Sequence, residues 1–200
     1  MKKLFFLIFF IMLVCAGKMQ AQLGINAGYA LNSINYSDFG SKQNMSGFSA
    51  GLSYDFRIKN EWYLFTGLNY SQFGRTNSER FLLGQWNYTY RHGFLEIPIH
   101  AAFVMEVADD WKISIEAGPK LSYAVFGTET VQRNDGVKIQ TNIYDKNISP
   151  FNVLVGFGIG IQYSNLRFKI GYDLGLLNQS SNIDSKATRS GLSLSLGYVF

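Results

Sequence analysis

The last ten residues, Gly191-Leu-Ser-Leu-Ser-Leu-Gly-Tyr-Val-Phe200, alternate strictly between apolar side chains and small or polar ones. Because successive side chains of a β-strand leave opposite faces, this period of two predicts a strand. Its apolar face continues to an aromatic last residue, and about ten residues suffice for a tilted strand to cross a bilayer. A strand of a soluble sandwich shows the same alternation, so the rest of the chain has to separate the two readings.

Seven more stretches repeat this pattern, which gives predicted strands at 23–36, 47–58, 62–72, 88–105, 111–125, 151–163, 166–176 and 188–200. Within each strand, a window of alternate residues forms one uncharged face: 23–31, 48–58, 62–70, 95–105, 111–125, 153–163, 166–176 and 192–200. On this face only Thr66 and Pro119 fall outside the apolar class. Since 16% of the chain is charged, the absence is not accidental. A lysine or arginine that faces lipid costs about 2–4 kcal/mol at the bilayer midplane. The sequence therefore predicts an all-β, eight-stranded, antiparallel up-and-down transmembrane β-barrel.

The chain begins with the pattern of a secretory signal peptide: Lys2 and Lys3, an apolar run over residues 4–14, and then small residues. We expect a signal peptide at 1–21 and a barrel domain at 22–200, with cleavage after Ala21 or, alternatively, after Ala16. Removing this segment leaves basic and acidic residues almost balanced, so nucleic acid is not an expected partner. It also removes Cys15, the single cysteine, and with it any disulfide.

The opposite face of the predicted strands is polar and rich in glycine. An eight-stranded barrel is just wide enough for its own side chains, so charges inside it must pair with one another. The predicted lumen network consists of Asp55, Arg57, Glu96, His100, Glu116, Lys120, Arg167, Lys169 and Asp173. An acid–base site built around Glu96 and His100 is the alternative, but charge pairing explains these residues without catalysis. No catalytic residue, cofactor site or metal site is expected.

The predicted connections alternate between long and short, as in outer-membrane barrels with extracellular loops and periplasmic turns. With both termini in the periplasm, the turns are 59–61, 106–110 and 164–165, and the loops are 37–46, 73–87, 126–150 and 177–187.

The faces of the fourth strand are open to two interpretations. The aromatic residues 86–94 of the fourth strand share parity with the lumen set. Either this strand projects beyond the bilayer, which we prefer, or a bulge near Gly93 switches its faces.

The loop 126–150 contains two alternating segments around Asn134-Asp135-Gly136, which is a hairpin-turn signal. We expect a hairpin that projects past the membrane. Its free edge could capture an extended segment of an extracellular or secretion partner. The candidate residues for this contact are Thr130, Gln132, Arg133, Asn134, Asp135, Gly136 and Lys138.

Three motifs carry a family resemblance across about residues 22–200. Phe94-Leu-Glu-Ile-Pro-Ile99, Glu116-Ala-Gly-Pro-Lys120 and Gly171-Tyr-Asp-Leu-Gly-Leu-Leu-Asn178 resemble elements of the PorT-like outer-membrane β-barrel family. Position 94 departs from the family, which usually has tyrosine there. The resemblance implies an eight-stranded barrel in the outer membrane and, for particular members, a part in protein secretion. The last strand also resembles the terminal strand of outer-membrane barrels, whose aromatic end, here Tyr198 and Phe200, is read by the barrel-assembly machinery.

The expected function is therefore structural or surface-interacting, in contact with outer-membrane lipid and lipopolysaccharide, without catalysis. An enzyme that acts on lipid and a narrow pore for small solutes are the alternatives. The pore has the weaker case, because a lumen filled with side chains conducts poorly.

Overall fold

The computed structural model describes residues 21–36, 41–81, 84–133, 136–144, 148–179 and 187–200. This part of the chain forms nine strands: β1 (Ala21–Tyr36), β2 (Ser41–Lys59), β3 (Trp62–Phe81), β4 (Gly84–Ala108), β5 (Trp111–Arg133), β6 (Lys138–Asn142), β7 (Phe151–Tyr163), β8 (Leu166–Gly175) and β9 (Ala187–Val199). It contains no helix that is long and apolar enough to cross a membrane. The predicted signal peptide lies outside the described residues, apart from Ala21, where β1 begins.

Eight of these strands close into a ring of antiparallel pairs. The order around the ring is β1, β2, β3, β4, β5, β7, β8 and β9, and β9 pairs back onto β1 from Gly24↔Val199 to Tyr36↔Ala187. The remaining strand, β6, pairs with the upper part of β5. The predicted eight-stranded up-and-down barrel is confirmed.

The two faces of the ring have opposite chemistry. Apolar side chains point outward and are exposed, for example Leu52 at 53%, Ile159 at 58% and Leu196 at 58%. Charged side chains point inward and are buried, such as Glu96 at 5% and Arg189 at 2%. This arrangement suits a surrounding of hydrocarbon and is the reverse of a water-soluble barrel.

Three short turns lie at one end of the ring, which we call the turn end, together with the start of β1 and the end of β9. Asn60, Asp110 and Ser164 each adopt a left-handed conformation there, with φ of 52°, 65° and 51°. Asn and Asp tolerate this conformation better than most residues. The predicted turn at 106–110 is shorter than expected, because β4 continues to Ala108.

At the other end, the loop end, several strands are longer than predicted. β2 begins at Ser41, β3 reaches Phe81 and β5 reaches Arg133, so most of the predicted loops 37–46 and 73–87 are paired strand. These segments carry Thr, Ser, Asn and Tyr instead of an apolar row. Their backbone pairing continues although the lipid-facing pattern has ended. The predicted hairpin is also confirmed, because β6 pairs with residues 128–132 of β5.

The open register in the fourth strand is settled by β4 itself. His92 and Phe94 are both buried in the ring and stack on each other, so β4 keeps its faces while it extends to Gly84. The pairing of β4 with β5 does shift at Gly93. The extra residue is Val125 of β5, which leaves the faces of β4 unchanged.

Two prolines interrupt the ladder inside the closed ring. Pro98 pairs with Lys120 of β5, whereas no pairing with β3 forms beside it. Pro119 pairs with Val155 of β7, and the pairing with β4 is missing beside it. Proline has no N–H to donate to a ladder, so each gap lies on one side of the strand only.

Candidate functional site: the lumen and the loop-end sheet

The carboxylate of Glu96 is the centre of the buried network. It pairs with the guanidinium of Arg189 from β9, and it accepts hydrogen bonds from Ser71 Oγ at 2.8 Å and Ser122 Oγ at 3.3 Å. The guanidinium also lies over the Phe94 ring, 4.3 Å from its centroid. Four strands of the ring therefore meet at one ion pair. A buried carboxylate requires such a charged partner and such hydrogen bonds to offset the cost of its desolvation.

A second group lies across the lumen. Glu116 Oε1 is 3.1 Å from His100 Nδ1 and 2.7 Å from Lys169 Nζ. Beside it, Lys120 Nζ donates to Asp173 Oδ2 at 2.5 Å. These residues come from β4, β5 and β8, which the ring places side by side or opposite one another, so their charges balance locally.

A third group closes the lumen toward the turn end. Asp55 Oδ2 lies 2.6 Å from Arg167 Nη2, and the other oxygen of this buried carboxylate has no hydrogen-bond partner among the described residues. Arg167 also donates twice to Gln162 Oε1, at 2.9 Å and 2.8 Å. Its guanidinium is 4.8 Å from the centroid of the Phe65 ring, a cation–π contact.

The structure thus brings eight of the nine predicted lumen residues into three paired groups. Arg57 lies elsewhere: it is exposed at the turn end, where its Nε donates to Asn60 O at 2.8 Å. Four partners were not among the predicted network residues, namely Arg189, Ser71, Ser122 and Gln162. Arg189 shares the inward parity of β9, which was the available signal, but its partner depends on which strands lie opposite.

A cavity of about 130 Å³ remains between the charged groups and a wall of small polar residues from β1, β2 and β9. Buried acceptors without a hydrogen-bond partner among the described residues line it, including Asn69 Oδ1, Glu116 Oε2 and Asp55 Oδ1. A space of this size holds a few water molecules, each of which can donate to such atoms. In the described part of the chain, no group of three or more His, Cys, Asp or Glu residues could hold a metal ion.

An apolar plug closes the lumen above the ion pairs, toward the loop end. It consists of Ala30, Ile34, Met45, Phe73, Phe94, Ala124 and Ala187, with Tyr144 packed against it. The Tyr144 hydroxyl lies 2.9 Å from His92 Nδ1, and its ring fills the space above Gly127. The sequence reasoning missed this plug. The signal was present in the inward parity of the aromatic residues 86–94.

Beyond the plug, the ring opens into a four-stranded extension, the loop-end sheet, made of residues 75–81 of β3, 84–92 of β4, 127–133 of β5 and β6. Its outermost strand, β6, pairs only with β5 among the described residues, and all its residues are exposed. Of the predicted hairpin, Asn134 and Asp135 lie outside the described residues. Gly136 has φ of 87°, the left-handed conformation that favours glycine in such a turn.

The predicted assembly residues lie at the turn end on the outside of the ring. Tyr198 and Phe200 pack edge to face, with ring centroids 5.2 Å apart, and both side chains are exposed. The backbone N–H of Phe200 donates to Leu23 O at 2.8 Å, so the last residue still belongs to the β1–β9 seam.

An apolar outer wall, an ion-paired lumen and a closed antiparallel ring together define a small transmembrane β-barrel. The chain belongs to the family described as "Outer membrane protein beta-barrel domain", whose match covers residues 18–181. The protein is therefore an outer-membrane β-barrel protein. A comparison with curated proteins finds no significant match.

The chain is also similar to several solved outer-membrane proteins, at low sequence identity. Ail, the attachment invasion locus protein of Yersinia pestis, in complex with the heparin analogue sucrose octasulfate, is 18% identical over 91% of this chain and 100% of that chain, with a TM-score of 0.47. Neisserial surface protein A is 16% identical over 90% and 99%, with a TM-score of 0.48. The outer membrane enzyme PagL is 14% identical over 86% and 98%, with a TM-score of 0.48.

Aromatic side chains on the outside of the ring mark the depth of the bilayer, because Trp and Tyr are enriched at both membrane–water interfaces. On β5, Trp111 and Tyr123 are about 12 residues apart, which corresponds to about 30 Å along the membrane normal for a strand tilted by about 40°. His92 lies past this band, beyond the Leu95–Tyr123 pair. Burial, followed by the charge of Arg189, lowers the pKa of His92 to about 4, so the imidazole under Tyr144 is neutral at pH 7.

At the turn end, Lys112 Nζ lies 2.8 Å from Glu106 Oε1. Hydrogen bonding from this ammonium, together with its charge, holds the pKa of the Glu106 carboxyl below its usual value. Both side chains contact water, and this ion pair therefore contributes little to the stability of the barrel.

Proposed function

We propose that this outer-membrane barrel has no catalytic activity and acts at the cell surface, where its loop-end sheet binds a partner. Both termini and the turn end then face the periplasm. One observation carries the proposal: the wall continues past the lipid-facing band as the loop-end sheet and ends in β6, which within the described residues is paired on one side only. The two strands that follow the longest connections, β7 and β9, both begin at that same end, where such barrels have their extracellular loops.

The edge of β6 has the geometry for strand addition. Ile143 N donates to Gly127 O at 2.9 Å, and an antiparallel strand directs its backbone groups alternately to its two sides. Thr141 and Ile139 therefore face β5, whereas Lys138 and Gln140 direct their backbone groups away from it. An extended segment of a partner can pair with this side, which gives affinity through main-chain hydrogen bonds.

The test compares binding to intact cells that display variants of the full chain. Replacing residues 130–140 by Asn-Gly keeps a two-residue turn between Glu129 and Thr141, which are paired partners in the hairpin. Gln140→Pro removes one outward N–H without breaking a hydrogen bond to β5, and Gln140→Ala is its matched control. We expect the replacement and Gln140→Pro to lose the partner in a pull-down and Gln140→Ala to keep it. Unchanged binding after the replacement would refute the proposal.

A part in protein secretion is the second candidate, supported by the PorT-like resemblance. The three motifs of that resemblance supply Glu96, Glu116, Lys120 and Asp173, which lie at the centre of the lumen network. The measurement is the set of secreted proteins in a deletion strain. A secreted set equal to that of the parent strain would exclude this candidate.

The alternatives of an enzyme and a pore have less support from the geometry. Among the described residues, His100 Nε2 has no hydrogen-bond partner, so no hydroxyl nucleophile is bonded to it. The cavity is small, and the plug lies above it. A lipid-modifying enzyme would lose its activity in Glu96→Gln or His100→Ala while the barrel still folds, which is the measurement that separates it from a structural network.

A further inference from the structure

The two faces of the loop-end sheet differ in charge. Its outward face carries Arg80, Arg91 and Lys138, whereas no carboxylate of the described sheet lies there. The two carboxylates of the sheet, Glu79 and Glu129, lie on the inward face opposite Trp86 and Tyr90. Glu129 is already bonded, since it accepts a hydrogen bond from the Tyr90 hydroxyl at 2.8 Å. The outward face is therefore the cationic side of the sheet.

Between these cations lie rows of hydroxyl and amide groups. Thr76, Thr89 and Thr130 are direct neighbours across three strands, and Ser78, Asn87 and Gln132 form the next row. Thr76 and Thr89 are hydrogen-bonded through their hydroxyls at 3.2 Å, and Ser78 donates to Asn87 at 2.6 Å. We call these two rows, together with Arg91 and Lys138, the polar outer face.

The polar outer face is continuous with the wall that contacts lipid. On β4, the outward column runs from Ile97 and Leu95 through Gly93 to Arg91. Arg91 lies about four residues above the row of Leu95 and Tyr123, or about 10 Å along the normal for a tilted strand. Asn87, Gln132 and Lys138 lie about four residues higher again, or about 20 Å above that row. The polar outer face therefore begins close to the headgroups, which start where the hydrocarbon ends, and it extends about 10 Å further out. Among lipids, only one with a large headgroup reaches over this whole span.

We propose that the polar outer face binds the phosphorylated saccharide headgroups of the outer-leaflet lipid. Arg91 and Lys138 contact phosphate, for which guanidinium and ammonium groups are suited, and the Thr, Ser, Asn and Gln rows contact sugar hydroxyls. Charge complementarity and continuity with the lipid-facing wall identify this occupant. The inference rests on one part of the proposed function, the location of the loop end at the cell surface. It is otherwise separate, because a partner at the β6 edge and lipid at the outward face use different groups.

The experiment measures how much lipopolysaccharide half-saturates the stabilisation of the full chain. The protein is placed in phosphatidylcholine vesicles with increasing lipopolysaccharide, and its unfolding midpoint is followed by heat-dependent gel mobility. We expect Arg91→Gln/Lys138→Gln to need at least about tenfold more lipopolysaccharide, since it removes two charge-assisted contacts and the loss of one weakens binding by about this factor. Lys59→Gln, which removes an exposed charge at the turn end, is the matched control and should behave like the wild type.

Two further arms identify the chemistry and do not require a variant to fold. Vesicles with dephosphorylated lipopolysaccharide should stabilise the wild type much less, and vesicles with phosphatidylglycerol should not replace lipopolysaccharide. Equal stabilisation by the dephosphorylated lipid would overturn the phosphate contact, and equal stabilisation by phosphatidylglycerol would overturn the saccharide contact. A double variant that matches the wild type, or a Lys59→Gln control that loses as much as the double variant, would overturn the site. Capture of a soluble acidic protein without any effect of lipopolysaccharide would likewise overturn the lipid as occupant.

Discussion

Replacing Glu96 by glutamine is the sharpest test of the lumen network. The amide keeps the shape of the side chain but removes the charge that faces Arg189, whose side chain is only 2% exposed. Nearby Ser71 and Ser122 can still bond to the amide, whereas the guanidinium stays charged and buried. Among the described residues, its other neighbours are then two ring faces and a hydroxyl, none of which carries a negative charge. The change therefore isolates the cost of one unpaired internal charge.

Breaking a buried ion pair by removing one partner costs about 3–5 kcal/mol, and we expect Glu96→Gln to lower the free energy of unfolding by this amount. Replacing both partners, as in Glu96→Gln/Arg189→Met, removes the orphaned charge. The double variant should recover at least about 2 kcal/mol relative to the sum of the single changes. This recovery is the coupling energy of the pair.

Urea unfolding from lipid vesicles, followed by heat-dependent gel mobility, gives the free energies by linear extrapolation. Glu106→Gln, which breaks the exposed pair with Lys112, is the control and should leave the unfolding midpoint unchanged. A loss below about 1 kcal/mol in Glu96→Gln, or strict additivity in the double variant, would show that Glu96 and Arg189 do not form the pair described here.

Three further predictions follow from other parts of the barrel. Gly118→Ala should lower the free energy of unfolding by about 1–3 kcal/mol, because the new Cβ would lie 2.3 Å from Ile99 O, whereas Gly74→Ala, with its nearest atom at 3.2 Å, should cost less in the same urea experiment. The folded-state pKa of His92, about 4, is below the unfolded value of 6.5. The free energy of unfolding should therefore be constant above pH 6.5 and fall by about 3 kcal/mol as the pH drops to 4. His92→Gln should flatten this pH dependence, and an equally steep curve in that variant would exclude His92 as its source. Planar-bilayer recordings of the wild type should show no conductance steps, since the plug and the ion pairs fill the lumen, and regular steps would contradict a closed lumen.

The sequence alone was sufficient for the number of strands in the ring, the chemistry of its two faces and the short turns. Alternation is a local property: Leu192, Leu194 and Leu196 share a face whatever the strand pairs with. A charge on the lipid face is costly in every register, so its absence could be read directly from the chain. The turn residues Asn60, Asp110 and Ser164 likewise act locally, through their own backbone conformation.

The tertiary structure decided which inward charges meet. Glu96 and Arg189 are far apart in sequence, and their pairing depends on ring closure and on the relative tilt of the strands on either side of the lumen. The same is true of the plug, where Phe73 and Phe94 lie against residues of β1, β2, β5 and β9. The full length of β3, β4 and β5 also could not be predicted from the alternation of apolar residues. Their backbone pairing continues beyond the bilayer, where the outward side chains no longer need to be apolar. Parity is fixed by single strands, whereas partners across a lumen are fixed only by the closed ring.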